Sequence, residues 1–377
     1  MQRGREPDQA CSFLLSQGES EGAEDQQFFA ELHDNIVTLL SRSSDIAVIG
    51  RKAQEWTSKA GRSVRAIGED LKVRDAVSGE IVKCSDLHRL SIHFLETATG
   101  SSIWSENFNL DGNDVKDGVL INKIVGNIAS EILRSEAEKT LRREPGQLGA
   151  EDLTHRANHS FAAFNQRTFH EIESLARLAV DLKPSFPGGY GILAGAMSLK
   201  ACQSWTSSPD EDLEEALSMG SRAVELSPGD PRMLYWWGHV HFYGGRTHDA
   251  IGILESAAAR DPSFVPTYIL LGAAMILSQQ AHMGITKIEH ALDLSRDHAL
   301  AFRAQFWLGV GQNGAWRLGS SASGVHGIDQ AQRDQEPSRQ RRCLLGLGRH
   351  GRCLRQARST RRGRDHPQTS ARAFCRP

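Results

Sequence analysis

The sequence predicts an α+β domain, then an all-α array of stacked helix pairs, then a disordered basic tail. Three observations carry this reading. First, Pro228 and Pro262 lie 34 residues apart, and small residues keep the same period: Ala216, Ala250 and Gly284; Ala223, Ala257 and Ala291; Gly238 and Gly272. A fixed period of that length marks a solenoid of helix pairs. Second, ahead of the array the apolar residues switch between helical spacing and strand-like alternation. Third, residues 311–377 hold 14 Arg, no Lys and four acidic residues. That tail is therefore +10, and the whole-chain charge of −2 leaves −12 for the rest.

Residues 1–25 are polar and read as loose. The α+β domain is expected over 26–144. Phe29, Leu32, Ile36 and Leu40 fall on one helix face. The run DIAVIG is strand-like. A short helix, SVRAIGEDL, presents Val64, Ile67 and Leu71, with Ser63 as its N-cap. Three strands follow: DAVSGEIVKC, RLSIHFLET with Leu90, Ile92 and Phe94 alternating, and SSIWSENF. Between the last two, Gly100 in TATG supplies a positive φ. A long helix from about Val115 to Arg143 carries Ile121, Ile124, Ile128 and Ile132, and Pro145-Gly146 closes it.

The array is expected over 151–310. Gly238 and Ala250 let paired helices approach, Ala257 makes room for the next pair, and a proline ends each pair. Leu234, Trp237, Leu271 and Met275 fill inward positions. Such a unit cannot bury its face alone, so neighbours must stack. Between Pro184 and Pro228 the spacing is 44, and the surplus of ten reads as a polar loop, SWTSSPDEDL, inside that repeat. An earlier, weaker unit starts near Asp152. After Val310 the second helix of the last pair is missing. The text beyond Gly311 reads as a change of reading frame, with a natural disordered tail as the alternative.

These marks resemble the tetratricopeptide repeat, with Trp237-Gly238 and Leu271-Gly272 matching its first-helix signature. Arg296 and Gly284 depart from that pattern, standing where a proline and an alanine would. The phrases SRSSDIAVIG, VRAIGEDLKV and FLETATGSSIWSENFN resemble the TolB amino-terminal-like domain that precedes such repeats in bacterial proteins named adenylate cyclases or cyclase-associated. That family opens with a strand, for which Ser12 to Leu15 stands here. The resemblance implies a bacterial protein.

No apolar run approaches the ~18–20 residues of a membrane helix. The six cysteines form no C-x-x-C pair, so a reducing, cytoplasmic location is the expectation. Phosphate-loop, nucleophile-elbow and H-E-x-x-H patterns do not occur. His239, His241 and His248 lack ligand spacing. No cofactor or metal is implied, and the chain reads as a non-enzyme. The tail's arginines lack the interleaved aromatics of a nucleic-acid surface. The remaining candidate is the groove of the array. One first-helix stripe there is Tyr235, His239 and Phe242, continued by Ile269, Ala273 and Ile276, then Arg303 and Trp307. Stacked repeats line such positions along a concave surface that holds partner segments, although the same positions can make core. The reading is a scaffold that holds a protein partner there. The alternative is the regulatory portion of an adenylate cyclase, and a decayed gene is a third reading. The uncapped end after Val310 suggests self-association.

Overall fold

A computed structural model describes residues 10–17, 23–42, 47–49, 63–84, 87–110, 118–295 and 298–321. Arg296, the DIAVIG termini and most of the basic tail lie outside these residues, as does the side chain of Phe29.

The first domain is a five-stranded mixed sheet with helices on both faces. Its elements are β1 (Ala10–Gln17), α1 (Ala23–Leu40), β2 (Ala47–Ile49), α2 (Val64–Leu71), β3 (Asp75–Cys84), β4 (Leu87–Glu96), β5 (Ser102–Leu110) and α3 (Val119–Leu141). The strand order is β2-β1-β3-β4-β5. β1 runs parallel to β2 and β3, while β3, β4 and β5 form an antiparallel meander. The Ser12–Leu15 segment is thus a central strand. Leu90, Ile92 and Phe94 sit on one face of β4 and are all buried. They pack with Leu32, Ile36 and Leu40 of α1 and with Ile121, Ile124, Ile128 and Ile132 of α3. Ala76 points the other way, toward Ile67 of α2, as the two-residue period of a strand requires. Ser63 caps α2 by accepting a hydrogen bond from the Ala66 N–H at 3.3 Å. Gly100 turns β4 into β5 at φ +72°.

A polar lock fastens α3 to β3. Lys139 Nζ donates to Asp75 at 2.6 Å and to Glu136 at 2.9 Å, and Arg74 pairs with Glu136 at 3.2 Å. Burial raises the Asp75 pKa despite Lys139. For Glu136, burial works upward, but Lys139 and Arg74 carry the net direction below the usual carboxylate range.

The array has α4 (Ala150–Ser160) and α5 (Gln166–Leu182), α6 (Pro187–Gln203) and α7 (Pro209–Leu226), α8 (Pro231–Tyr243) and α9 (Thr247–Arg260), and α10 (Val265–Leu277) and α11 (Ala281–Leu294). One more first helix follows, α12 (Ala301–Ser321), running past Val310, where the array was expected to stop. Proline opens α6, α7 and α8, at the position where a missing N–H costs nothing.

Of the ten residues expected as a loop, only 204–208 connect two helices. Helices α6 and α7 have 17 and 18 residues, against 13 and 14 for α8 and α9. Each is one turn longer. Pro209 and the acids Asp210, Glu211 and Asp212 start α7 inside the stretch that the loop reading assigned to a loop, because first-turn carboxylates favour a helix N-terminus.

Small residues set the helix spacing. A Cβ on Gly238 would meet Leu254 Cγ at 2.6 Å, and one on Gly284 would meet the Gly272 carbonyl at 2.5 Å. So α10 and α11 touch glycine to glycine, which accounts for Gly284 where the repeat pattern has alanine. Gly284→Ala is therefore expected to lower stability by about 1–3 kcal/mol through overpacking, despite alanine's better helix propensity. Urea unfolding of the two proteins measures this.

A buried ion pair ties three array helices together. Lys200 of α6 is 5% exposed and pairs with Glu173 of α5, while Arg177 bridges Glu173 and Glu215 of α7 at 2.9 and 2.8 Å. Burial raises the Glu173 pKa, but the bonds from Lys200 and Arg177 outweigh it, and the net direction is down. Its contribution is thus present above the unfolded value and lost as pH falls through the lower folded value. Thermal melts below pH 5 are expected to lose stability less steeply in Glu173→Gln than in the parent, from a lower starting Tm at pH 7.

Candidate functional site

The interior of the array is aromatic. Phe161, at the end of α4, packs 5.0 Å from Trp236 and 5.1 Å from Phe169. Gly191 and Gly195 of α6 leave room for the Trp236 indole. Phe164, in the α4–α5 connection, lies 5.5 Å from Trp205. Across from it, Arg303 of α12 places its guanidinium 4.9 Å from the Phe164 ring centroid, and Trp307 of α12 meets Phe242 of α8 at 5.9 Å. The last helix thus reaches the first connection of the array, and the concave side is filled by this chain's own side chains.

The positions expected to line an open groove take their places accordingly. Tyr235, His239, Phe242, Ile269 and Ala273 are buried, at 5% exposure or less. Ile276, Arg303 and Trp307 are half-buried. The expectation of an exposed stripe is corrected for the first five. Helix α8 is enclosed by α6, α7 and α9, with α10 beside it, so the face next to the pairing stripe is interior too. The periodicity marks this face but carries no information about what lies against it.

His239 shows how the interior manages polar groups. Its Nδ1 lies 3.2 Å from Ser198 Oγ. That hydroxyl also lies 3.0 Å from the Gly195 carbonyl oxygen. Burial holds the His239 pKa well below its ordinary value, and the positive charge of Arg303 adds to this. His241, by contrast, sits edge-on to Trp237 at 4.4 Å. Among the described residues no group of three or more His, Cys, Asp or Glu side chains is arranged to hold a metal ion.

A cavity of about 580 Å³ opens where α3 crosses the end of the array. A Cβ on Gly126 of α3 would meet the Ser263 carbonyl at 3.0 Å, so the two domains meet closely there, backbone against backbone. The walls are Lys123, Asn127 and Arg134 of α3; His155 and His159 of α4; Arg232, Tyr235 and Trp236 of α8; and Phe264, His298 and Arg303. Arg232 is 4% exposed and stacks 4.5 Å from the Phe264 ring centroid. Burial, with Arg232 nearby, pushes the His298 pKa down to about 4. Its Nδ1 accepts from the Leu300 N–H at 3.0 Å. Of the expected groove residues, only Tyr235 and Arg303 line this cavity. The others on its walls come from separate elements far apart in sequence. Their one local signal was the basic residue of PRMLYWW, placed among apolar neighbours.

Domain, array and cavity define a class of fold: a helix-pair repeat array with an α+β domain docked across one end. No family model matches the chain. It is 22% identical over 218 residues to a curated protein of Rhizobium meliloti (strain 1021) named "Putative adenylate cyclase 3", a match covering 57% of this chain. The chain spans only 37% of that protein's length. Among solved structures it is similar to a thermophilic TPR protein of Thermus thermophilus, with 20% identity, a TM-score of 0.36, and coverage of 52% of this chain and 97% of the other. It is also similar to TolB from Acinetobacter baumannii, with 14% identity, a TM-score of 0.25, and coverage of 33% and 29%. No helix among the described residues is long and apolar enough to cross a membrane.

Because Phe242 is buried at 1% exposure, Phe242→Ala is expected to cost about 3–5 kcal/mol of stability. Trp307→Ala, at the half-buried rim, is expected to cost less. Denaturant midpoints of the two variants test the order, and equal losses would contradict a filled interior.

Proposed function

We propose that the chain is a non-enzymatic scaffold that holds a segment of a protein partner at the rim of the repeat groove. The observation that carries the proposal is the row formed by Ile276, Arg303 and Trp307. It extends the buried stripe of Tyr235, His239, Phe242, Ile269 and Ala273 to a partly exposed edge. Half-exposed Trp and Arg beside an aromatic core are the residue types that dominate binding energy at interfaces. The buried members of the stripe support the rim by fixing its backbone.

The test uses the whole chain as bait in host lysate, with Trp307→Ala and Ile276→Ala as controls, each checked for unchanged far-UV circular dichroism. A partner retained by the parent and lost in both controls is the expected result. Partners retained equally by all three baits would contradict a rim site. Replacing Tyr235, His239 and Phe242 together is a poor control, since all three are interior.

A second reading is favoured by the 218-residue match to a protein named as an adenylate cyclase. On that reading the chain is a regulatory portion acting in cyclic-AMP signalling beside a separate catalytic domain. A neighbouring reading frame that encodes a cyclase domain would favour it.

A further inference from the structure

The cavity between α3 and the array has a built chemistry of its own, sharing only Arg303 with the proposed rim. Its carboxylates are already engaged. Glu131 pairs with Arg134 at 2.6 Å, Asp261 accepts from the Ser263 N–H and hydroxyl at 3.1 and 2.6 Å, and Glu106 accepts from Asn127 at 3.0 Å. One cation atom is not. Arg303 Nη2 is buried without a hydrogen-bond partner, and its guanidinium is pinned against Phe164. Lys123 also lines the cavity, on its α3 side. A buried guanidinium donor left without an acceptor costs free energy that an incoming anionic oxygen removes. Phe161, Tyr235 and Trp236 supply an apolar wall on the same cavity. Its volume falls within the range of small-molecule sites, and it lies where such sites are common, between two domains.

We propose that this cavity binds a small organic anion, its carboxylate or phosphate directed at Arg303 and its apolar body against Phe161 and Trp236. The ligand touches α3 on one side and α4, α8 and the start of α12 on the other. It therefore strengthens the docking of the α+β domain on the array, whether or not the array also holds a protein.

The full chain is titrated with the anionic fluorophore 8-anilinonaphthalene-1-sulfonate and, separately, with its uncharged analogue N-phenyl-1-naphthylamine. The expected result is one saturable sulfonate site per chain, weakened by salt. It is also expected to weaken about tenfold in Arg303→Gln, with the neutral analogue unaffected by that change. Ala162→Phe, which places a ring into the cavity, abolishes the site, and Lys123→Gln is the second charge variant should Arg303→Gln fold poorly. Matched far-UV circular dichroism excludes dye bound to unfolded protein. Competition by benzoate or by phenyl phosphate then tells a carboxylate from a phosphate. No saturable site, or equal sulfonate affinity in the parent and the charge variants, would overturn the proposal.

Discussion

A row of aromatic side chains on the first helices of the array has to be taken out of water, and this chain does it by closing the array on itself. Arg303 on Phe164 and Trp307 on Phe242 are the contacts that close it. Everything else in the structure follows from the space this leaves. The buried Phe242 is covered by this chain's own side chains. The remaining void sits at the end where α3 crosses.

Closure also fixes which polar groups are tolerable inside. His239 is kept neutral by burial and satisfied on one side by Ser198. Lys200 is charged and buried, and Glu173 answers it. Charge inside the array is thus met by charge, in keeping with the cost of leaving it unmet. Arg303 departs from this, with one buried nitrogen unanswered, and it stands on the wall of the cavity. Beside the answered Lys200, that unanswered guanidinium nitrogen is informative.

Much of this fold is legible in the sequence because its signals are local. Alternation at Leu90, Ile92 and Phe94, the cap at Ser63 and the turn at Gly100 each depend on residues a few positions apart. The 34-residue period of prolines and small residues depends on one helix pair and its neighbour. The curvature of the whole array has no such local signal. It sums small rotations over several repeats, and it decides whether Tyr235, His239 and Phe242 face a groove or a core. The first turn of α7 reads as loop because its residues are polar, although Pro209 and the acids after it mark a helix start. The cavity was illegible for a similar reason. Its walls come from α3, α4, α8 and α12, which no spacing rule relates.

The most direct test of a closed array is a distance across it. Spin labels at Arg167 and Phe302, both exposed, span the first connection and the last helix, in a chain whose native cysteines are replaced by serine. Double electron–electron resonance is expected to give one narrow distance distribution, unchanged between dilute and concentrated protein. A broad or two-peaked distribution would show that the array opens, and the buried aromatic row would then have to be counted as a groove after all.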